Sequence, residues 1–197
     1  MGEDKRKAII EAAKRVFTEK GFHGATVDEI AAEAGVAKGT VYLYFKSKAE
    51  LFVQVALEVF RGLGEKMRGL VEESPDPVGA LERAVDIYLD YLADNQDILR
   101  MVMGMGPSVR LALNKCHLEE INHGLMACVK DMAELLKEGM RKGIVHEGDP
   151  ELLALAVMGA VHLPVFSAIR RGGRSPREMK REVAALIKRV LFKGGEG

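Results

Sequence analysis

Cys116, His117, Glu120 and His123 stand close together in the chain, and these are side chains that hold transition metals. Glu120 and His123 are three apart and would share one face of a helix. A di-iron carboxylate bundle needs the Glu-x-x-His pair twice; here it occurs once. The sequence contains neither a phosphate-cradling glycine loop nor a nucleophile elbow. The expectation is a protein with no catalytic residues, no metal and no cofactor. A second set of residues suits binding. Met101, Met103, Met105, Met126, Met132 and Met158 are flexible apolar groups that adapt to irregular surfaces, and Tyr88, Asn122 and His162 place polar groups on mostly apolar segments. An apolar or amphipathic small molecule is the matching partner, with Tyr88, Met101, Met105, Asn122, Met126, His162 and Phe166 as the candidate lining. Ordinary core packing is the competing explanation for each methionine, and a satisfied buried hydrogen bond for each polar group.

These residues need a scaffold, and the composition bounds it. The 48% hydrophobic content of 197 residues can fill a sizeable core. Formal net charge is zero, from 29 basic and 29 acidic residues, so any affinity for nucleic acid must be local. The two cysteines, Cys116 and Cys128, do not suggest a disulfide framework, and a cytoplasmic location fits. The start of the chain is charged, with no signal-like apolar run. Residues 152–169 are apolar, yet they contain Gly159, His162, Pro164 and Ser167 and fall short of the ~20 apolar residues of a membrane span. They read as a helix buried on most sides, with no membrane partner.

Helix punctuation is frequent. Ile9, Ala12, Ala13, Val16 and Phe17 form a one-sided stripe, which Gly21 should stop. Thr26 with Glu29 and Ser47 with Glu50 are capping boxes. Asp76-Pro77, Asp149-Pro150 and Ser175-Pro176 pair a capping residue with a first-turn proline. A long helix should cover residues 47–73, although Gly62, Gly64 and Gly69 lie inside it. The spacing predicts about nine helices, three short ones up to Lys46 and six beyond. The chain is expected to be all-α: an N-terminal three-helix unit, residues 1–46, joined to a larger six-helix body, residues 47–197.

One segment resists this reading. Thr40-Val41-Tyr42-Leu43-Tyr44-Phe45 has the β-branched and aromatic composition of a strand. A different constraint explains it. Counting from Val27, a small residue falls at the fifth position (Ala31), glycine at the ninth (Gly35), and apolar residues at the fourth, eighth, tenth and fifteenth (Ile30, Ala34, Val36, Val41). That is the packing pattern of two short helices crossing steeply, a helix-turn-helix, and packing overrides weak propensity.

Across residues 26–51 the sequence resembles the DNA-binding signature of the TetR family of transcriptional regulators. The resemblance is carried by Thr26, Ile30, Ala31, Ala34, Gly35, Val36, Gly39, Tyr42, Phe45, Lys48 and Leu51. Ala37 and Tyr44 depart from a pattern in which serine and histidine are frequent; the first forfeits a helix cap. The resemblance implies a ligand-responsive regulator of transcription, by family habit a repressor, that binds a palindromic operator in double-stranded DNA as a homodimer. A small, hydrophobic effector would release it. The helix near residues 37–44 would enter the major groove. Gly39 would let the backbone approach, Lys38 would donate to guanine, and Thr40 would meet a thymine methyl. Tyr42, Tyr44, Lys46 and Lys48 would reach the sugar-phosphate backbone, and the amides at Thr26 a phosphate. Phe45 reads as core. The last two long helices would pair two subunits, and the fourth helix, pivoting near Gly62 and Gly64, would link effector to DNA. The alternative is a helical small-molecule carrier with no sequence-specific DNA activity.

Overall fold

The computed structural model describes residues 2–72, 77–103, 112–170 and 176–192. It contains nine helices among them: α1 (Gly2–Gly24), α2 (Val27–Glu33), α3 (Lys38–Tyr44), α4 (Lys48–Glu72), α5 (Pro77–Asp94), α6 (Gln96–Met103), α7 (Lys115–Arg141), α8 (Pro150–Arg170) and α9 (Pro176–Leu191). The protein is all-α; the one strand-like pairing among the described residues is a single bridge between Val145 and Phe192. The described residues fall into two compact units, drawn from Met1–Phe60 with Asn95–Gly124 and from Arg61–Asp94 with Leu125–Gly197.

In the first unit the stripe of α1 is buried as its spacing requires, with Ile10 and Phe22 added. Gly21 takes a left-handed conformation, φ 69°, and breaks the helix; a short turn then runs on to Gly24. Thr26 caps α2 through a complete capping box. Gly35, at φ 65°, ends it. There the Gly35 amide bonds the Ala32 carbonyl and the Val36 amide the Ala31 carbonyl, the paired bonds of a Schellman motif. Ala31 is buried where the helices cross, and so are Ile30 and Val41. Residues 40–45, strand-like by composition, are therefore held as the helix α3 and its C-cap.

Ser47 starts α4 in a way that differs from the expected box. Its hydroxyl accepts the Glu50 amide, 3.1 Å, but the Glu50 carboxylate accepts the Lys46 amide, 2.7 Å. Phe52 of α4 lies edge-on to Phe17 at 5.5 Å and packs against Phe22 at 5.2 Å. Phe52 is fully buried, so Phe52→Ala is expected to cost about 3–5 kcal/mol, read as a fall in the urea midpoint with little change in slope. Gly124 of α7 is also fixed by packing: a Cβ there would lie 2.5 Å from Leu57 Cδ2.

In the second unit α9 packs on α5 and α8. Lys180 Nζ reaches Asp90 at 2.8 Å and Asp86 at 3.9 Å, and Arg177 reaches Asp94 at 2.6 Å. The three aspartates fall one per turn of α5. Such exposed pairs add little stability each, about 0–1 kcal/mol; they orient α9 along α5. A second Schellman motif, at Gly143, ends α7, and the His146 amide that follows bonds the Leu191 carbonyl at 3.0 Å. Asp149 caps α8, its Oδ1 accepting the amides of Glu151 and Leu152 at 2.9 and 3.0 Å. Asp76 and Ser175, the other expected caps, lie outside the described residues.

Two expectations change. α8 is not buried on most sides, since Leu152, Leu155 and Leu163 are exposed along it. Among the described residues, no helix is long and apolar enough to cross a membrane. Gly62, read as a pivot, has a packing reason instead: a Cβ there would come within 2.6 Å of the Tyr91 hydroxyl.

Candidate nucleic-acid interface and effector cleft

Val41 and Phe45, one turn apart, are the side chains that anchor α3 in the core. Their phase turns the opposite face outward. Lys38, Gly39, Tyr42, Leu43 and Lys46 are exposed there, with Thr40 and Tyr44 half-buried at its margins. Leu43 is the residue that sequence reasoning passed over: 84% of its surface is exposed, against 47% for Tyr42. The signal was available, because Leu43 follows Gly39 by one turn and stands opposite the Val41–Phe45 edge. Gly39 has no atom within 4 Å of where a Cβ would stand, so its lack of a side chain leaves an open shelf on this face. No side chain caps α3 at Ala37, as the alanine there implies.

The cations of this surface are held differently from one another. Lys38 Nζ donates to Asp28 Oδ2 at 2.8 Å, and this bond raises its pKa. Lys48 Nζ donates to the Ala25 carbonyl at 2.8 Å and sits 4.8 Å over the Phe22 ring. It thereby stitches the turn after α1 to the start of α4, and partial burial lowers its pKa. Lys46 keeps an exposed side chain while its amide is used by Glu50. At the start of α2, Glu29 accepts from Lys20, from the Thr26 hydroxyl and from the Thr26 amide, which together hold its carboxyl at about 2. Arg6 stacks over Phe45 at 5.4 Å and donates to Gln54 at 2.7 Å, so it braces the unit.

The second unit holds a cleft between four helices. It is lined by Leu63, Gly64 and Met67 of α4, Tyr88 of α5, Cys128, Asp131 and Met132 of α7, and Met158 of α8. The part a molecule could enter is on the scale of about one water. Beside it Tyr88 and His162, both buried, share a hydrogen bond of 2.8 Å. Of the candidate lining, Tyr88 and His162 are brought together within this unit. Met126 is half-buried in this unit, Met101 belongs to the other unit, and Asn122 is exposed on α7 there. Ile121 takes the buried phase beside Asn122. Met105 and the side chain of Phe166 lie outside the described residues. Asn114 caps α7, its Oδ1 accepting the His117 amide at 2.9 Å while His117 Nδ1 accepts the Asn114 amide, and no metal-holding group of three or more such residues occurs among the described residues.

Burial pushes the Tyr88 phenol up and lowers His162 to about 4. The sign of the resulting pH dependence follows. Above about pH 6.5, the ordinary histidine value, neither folded nor unfolded chain holds the proton; between there and pH 4 only the unfolded chain binds it. Stability therefore drops as the pH is lowered through that window, by up to about 3 kcal/mol from this group. The difference in urea stability between pH 7 and pH 4.5 is expected to shrink by about 2 kcal/mol in His162→Gln.

A short helix-turn-helix whose second helix turns a lysine, a bare glycine and exposed tyrosine and leucine side chains outward, followed by a helical body with an internal cleft, defines a DNA-binding transcriptional regulator. A profile of bacterial regulatory proteins of the tetR family matches residues 9–55. Over 178 residues the chain is 32% identical to the HTH-type transcriptional repressor SCO4008 of Streptomyces coelicolor, covering 87% of this chain and 85% of that protein. It is 28% identical over 187 residues to the fatty acid metabolism regulator protein of Bacillus subtilis, covering 93% and 90%. The crystal structure of FadR from Bacillus subtilis in complex with stearoyl-CoA superposes with a TM-score of 0.74 at 25% identity, covering 94% of this chain and 99% of that one. The chain belongs to the TetR family of transcriptional regulators.

Proposed function

We propose that the protein is a repressor that binds a palindromic operator as a homodimer and leaves it when an apolar or amphipathic effector enters the second unit. The exposed face of α3 carries this reading: Lys38, Gly39, Thr40, Tyr42 and Leu43 on one short rod match what a major groove admits. Tyr44, Lys46, Lys48 and the α2 start at Thr26 add contacts that set register on the phosphates. In this reading the DNA-reading portion ends at Lys46, and residues 47–197 sense and pair. Pairing is supported by the apolar stripe of α8, with Leu186 and Val190 exposed on α9. Effector chemistry is supported by the relatives: one is a repressor, one a fatty acid metabolism regulator, and one holds stearoyl-CoA. A long acyl thioester is therefore the first effector to try. The closed cleft gives it a mechanism, since a ligand that must part α4, α5, α7 and α8 has differential affinity for the open state.

Selection of duplexes from a random-sequence pool tests this. An enriched two-fold symmetric site, bound by two chains and released by micromolar stearoyl-CoA, is the expected outcome. Binding that ignores sequence and vanishes with salt would return the protein to the carrier class.

A further inference from the structure

Asp28 stands on the face that α2 and α3 offer to a polyanion, in the first turn of α2, where its charge adds only a modest helix-dipole contribution. The α2 cap is complete without it, made by Thr26 and Glu29. Asp28 accepts from Lys38, the first residue of α3, at 2.8 Å, and the two side chains are 66% and 52% exposed. Exposed pairs of this kind contribute little to stability. An aspartate here repels phosphate and occupies a lysine placed to read a base, a costly arrangement for a protein selected only to bind DNA tightly.

We propose that Asp28 is a built-in competitor that makes Lys38 selective. This rests on the reading of α3 as the groove helix. On an arbitrary duplex Lys38 keeps its carboxylate partner, and Asp28 adds repulsion from the nearby backbone. Where a guanine presents O6 and N7 together, the lysine gains two fixed acceptors and leaves Asp28. The acid thus subtracts more from non-specific binding than from specific binding, and the ratio between them rises.

The test uses the full chain, the duplex enriched by the wild type, and a shuffled duplex of the same composition, with Kd measured across a salt series. Asp28→Asn is expected to tighten the shuffled duplex about tenfold and the enriched one by no more than about threefold. The specificity ratio then falls at least about threefold, and the salt slope on shuffled DNA steepens by about one. Lys38→Ala should weaken the enriched duplex about tenfold and remove most of the effect of Asp28→Asn on the ratio. Asp28→Glu should keep the ratio. Thermal midpoints of all variants should match the wild type, which separates binding from folding. Equal tightening of both duplexes by Asp28→Asn would reduce the acid to a bulk charge and overturn the proposal. So would weaker binding to both, which would make Asp28 a support that positions Lys38. A pool that yields no enriched duplex would instead overturn the DNA reading itself, and the competitor with it.

Discussion

Gly39→Leu is expected to leave the protein folded and to abolish its DNA binding. No atom lies within 4 Å of the Cβ position at Gly39, and its φ is not in the left-handed region, so nothing in the fold resists a side chain. Helix propensity even favours the change, by about 0.8–1 kcal/mol relative to glycine. On the duplex the balance reverses. If α3 lies in the groove, the shelf at Gly39 is where backbone meets base edges or phosphates, and an isobutyl group would hold the helix off. Loss of every contact made by Lys38, Tyr42 and Leu43 follows together, because one rigid rod carries them. Affinity for the enriched duplex should fall at least about 100-fold, near 2.7 kcal/mol, while the thermal midpoint stays level or rises. Fluorescence anisotropy and calorimetry on the same preparation read both quantities. Undiminished binding would mean that α3 does not enter the groove.

That separation was visible in the sequence, because helix-turn-helix packing constrains residue type at fixed offsets. Ala31, Gly35 and Val41 each answer a steric demand, and each sits where the demand exists. The capping box at Thr26 was equally legible, being a local bond between residues three apart. What escaped was set by partners distant in the chain. Nothing around Lys48 announces that its ammonium turns back to the Ala25 carbonyl. Gly62 looks like a loose point in the sequence, yet Tyr91, on another helix, occupies the space of its missing side chain. In the cleft, Tyr88 and His162 are 74 positions apart yet 2.8 Å distant. Their polarity on apolar segments gave each away as notable, but pairing required the fold. Asn122 shows the same limit from the other side, since a polar residue on an amphipathic helix is placed by helical phase, and its phase points outward.

The second large effect is expected on α8, where the proposed pairing of subunits can be broken without touching the DNA-reading end. Leu152 and Leu163 are 66% and 75% exposed, with Leu155 between them at 46%. Ala156, Gly159 and Ala160 lie on the same side, none of them fully buried, and at Gly159 no atom meets an added Cβ within 4 Å. Large residues at the ends and small ones between form a surface that a second helix can approach closely, and Leu186 and Val190 extend it on α9. Covering each leucine is worth about 1.5–3 kcal/mol, part of which association consumes in lost freedom. A two-fold interface presents every substitution twice, so Leu152→Glu with Leu163→Glu would bring four carboxylates into one apolar seam. Sedimentation at micromolar concentration should then report a monomer with unchanged helical content. Affinity for a two-half-site duplex should fall at least about 100-fold, because one short helix can read only one half-site. Lys115→Glu, at a side chain 91% exposed on α7, is the matched charge control and should leave sedimentation unchanged. A doubly substituted chain that still sediments as a dimer would exclude this face and send the search for the pairing surface elsewhere on the second unit.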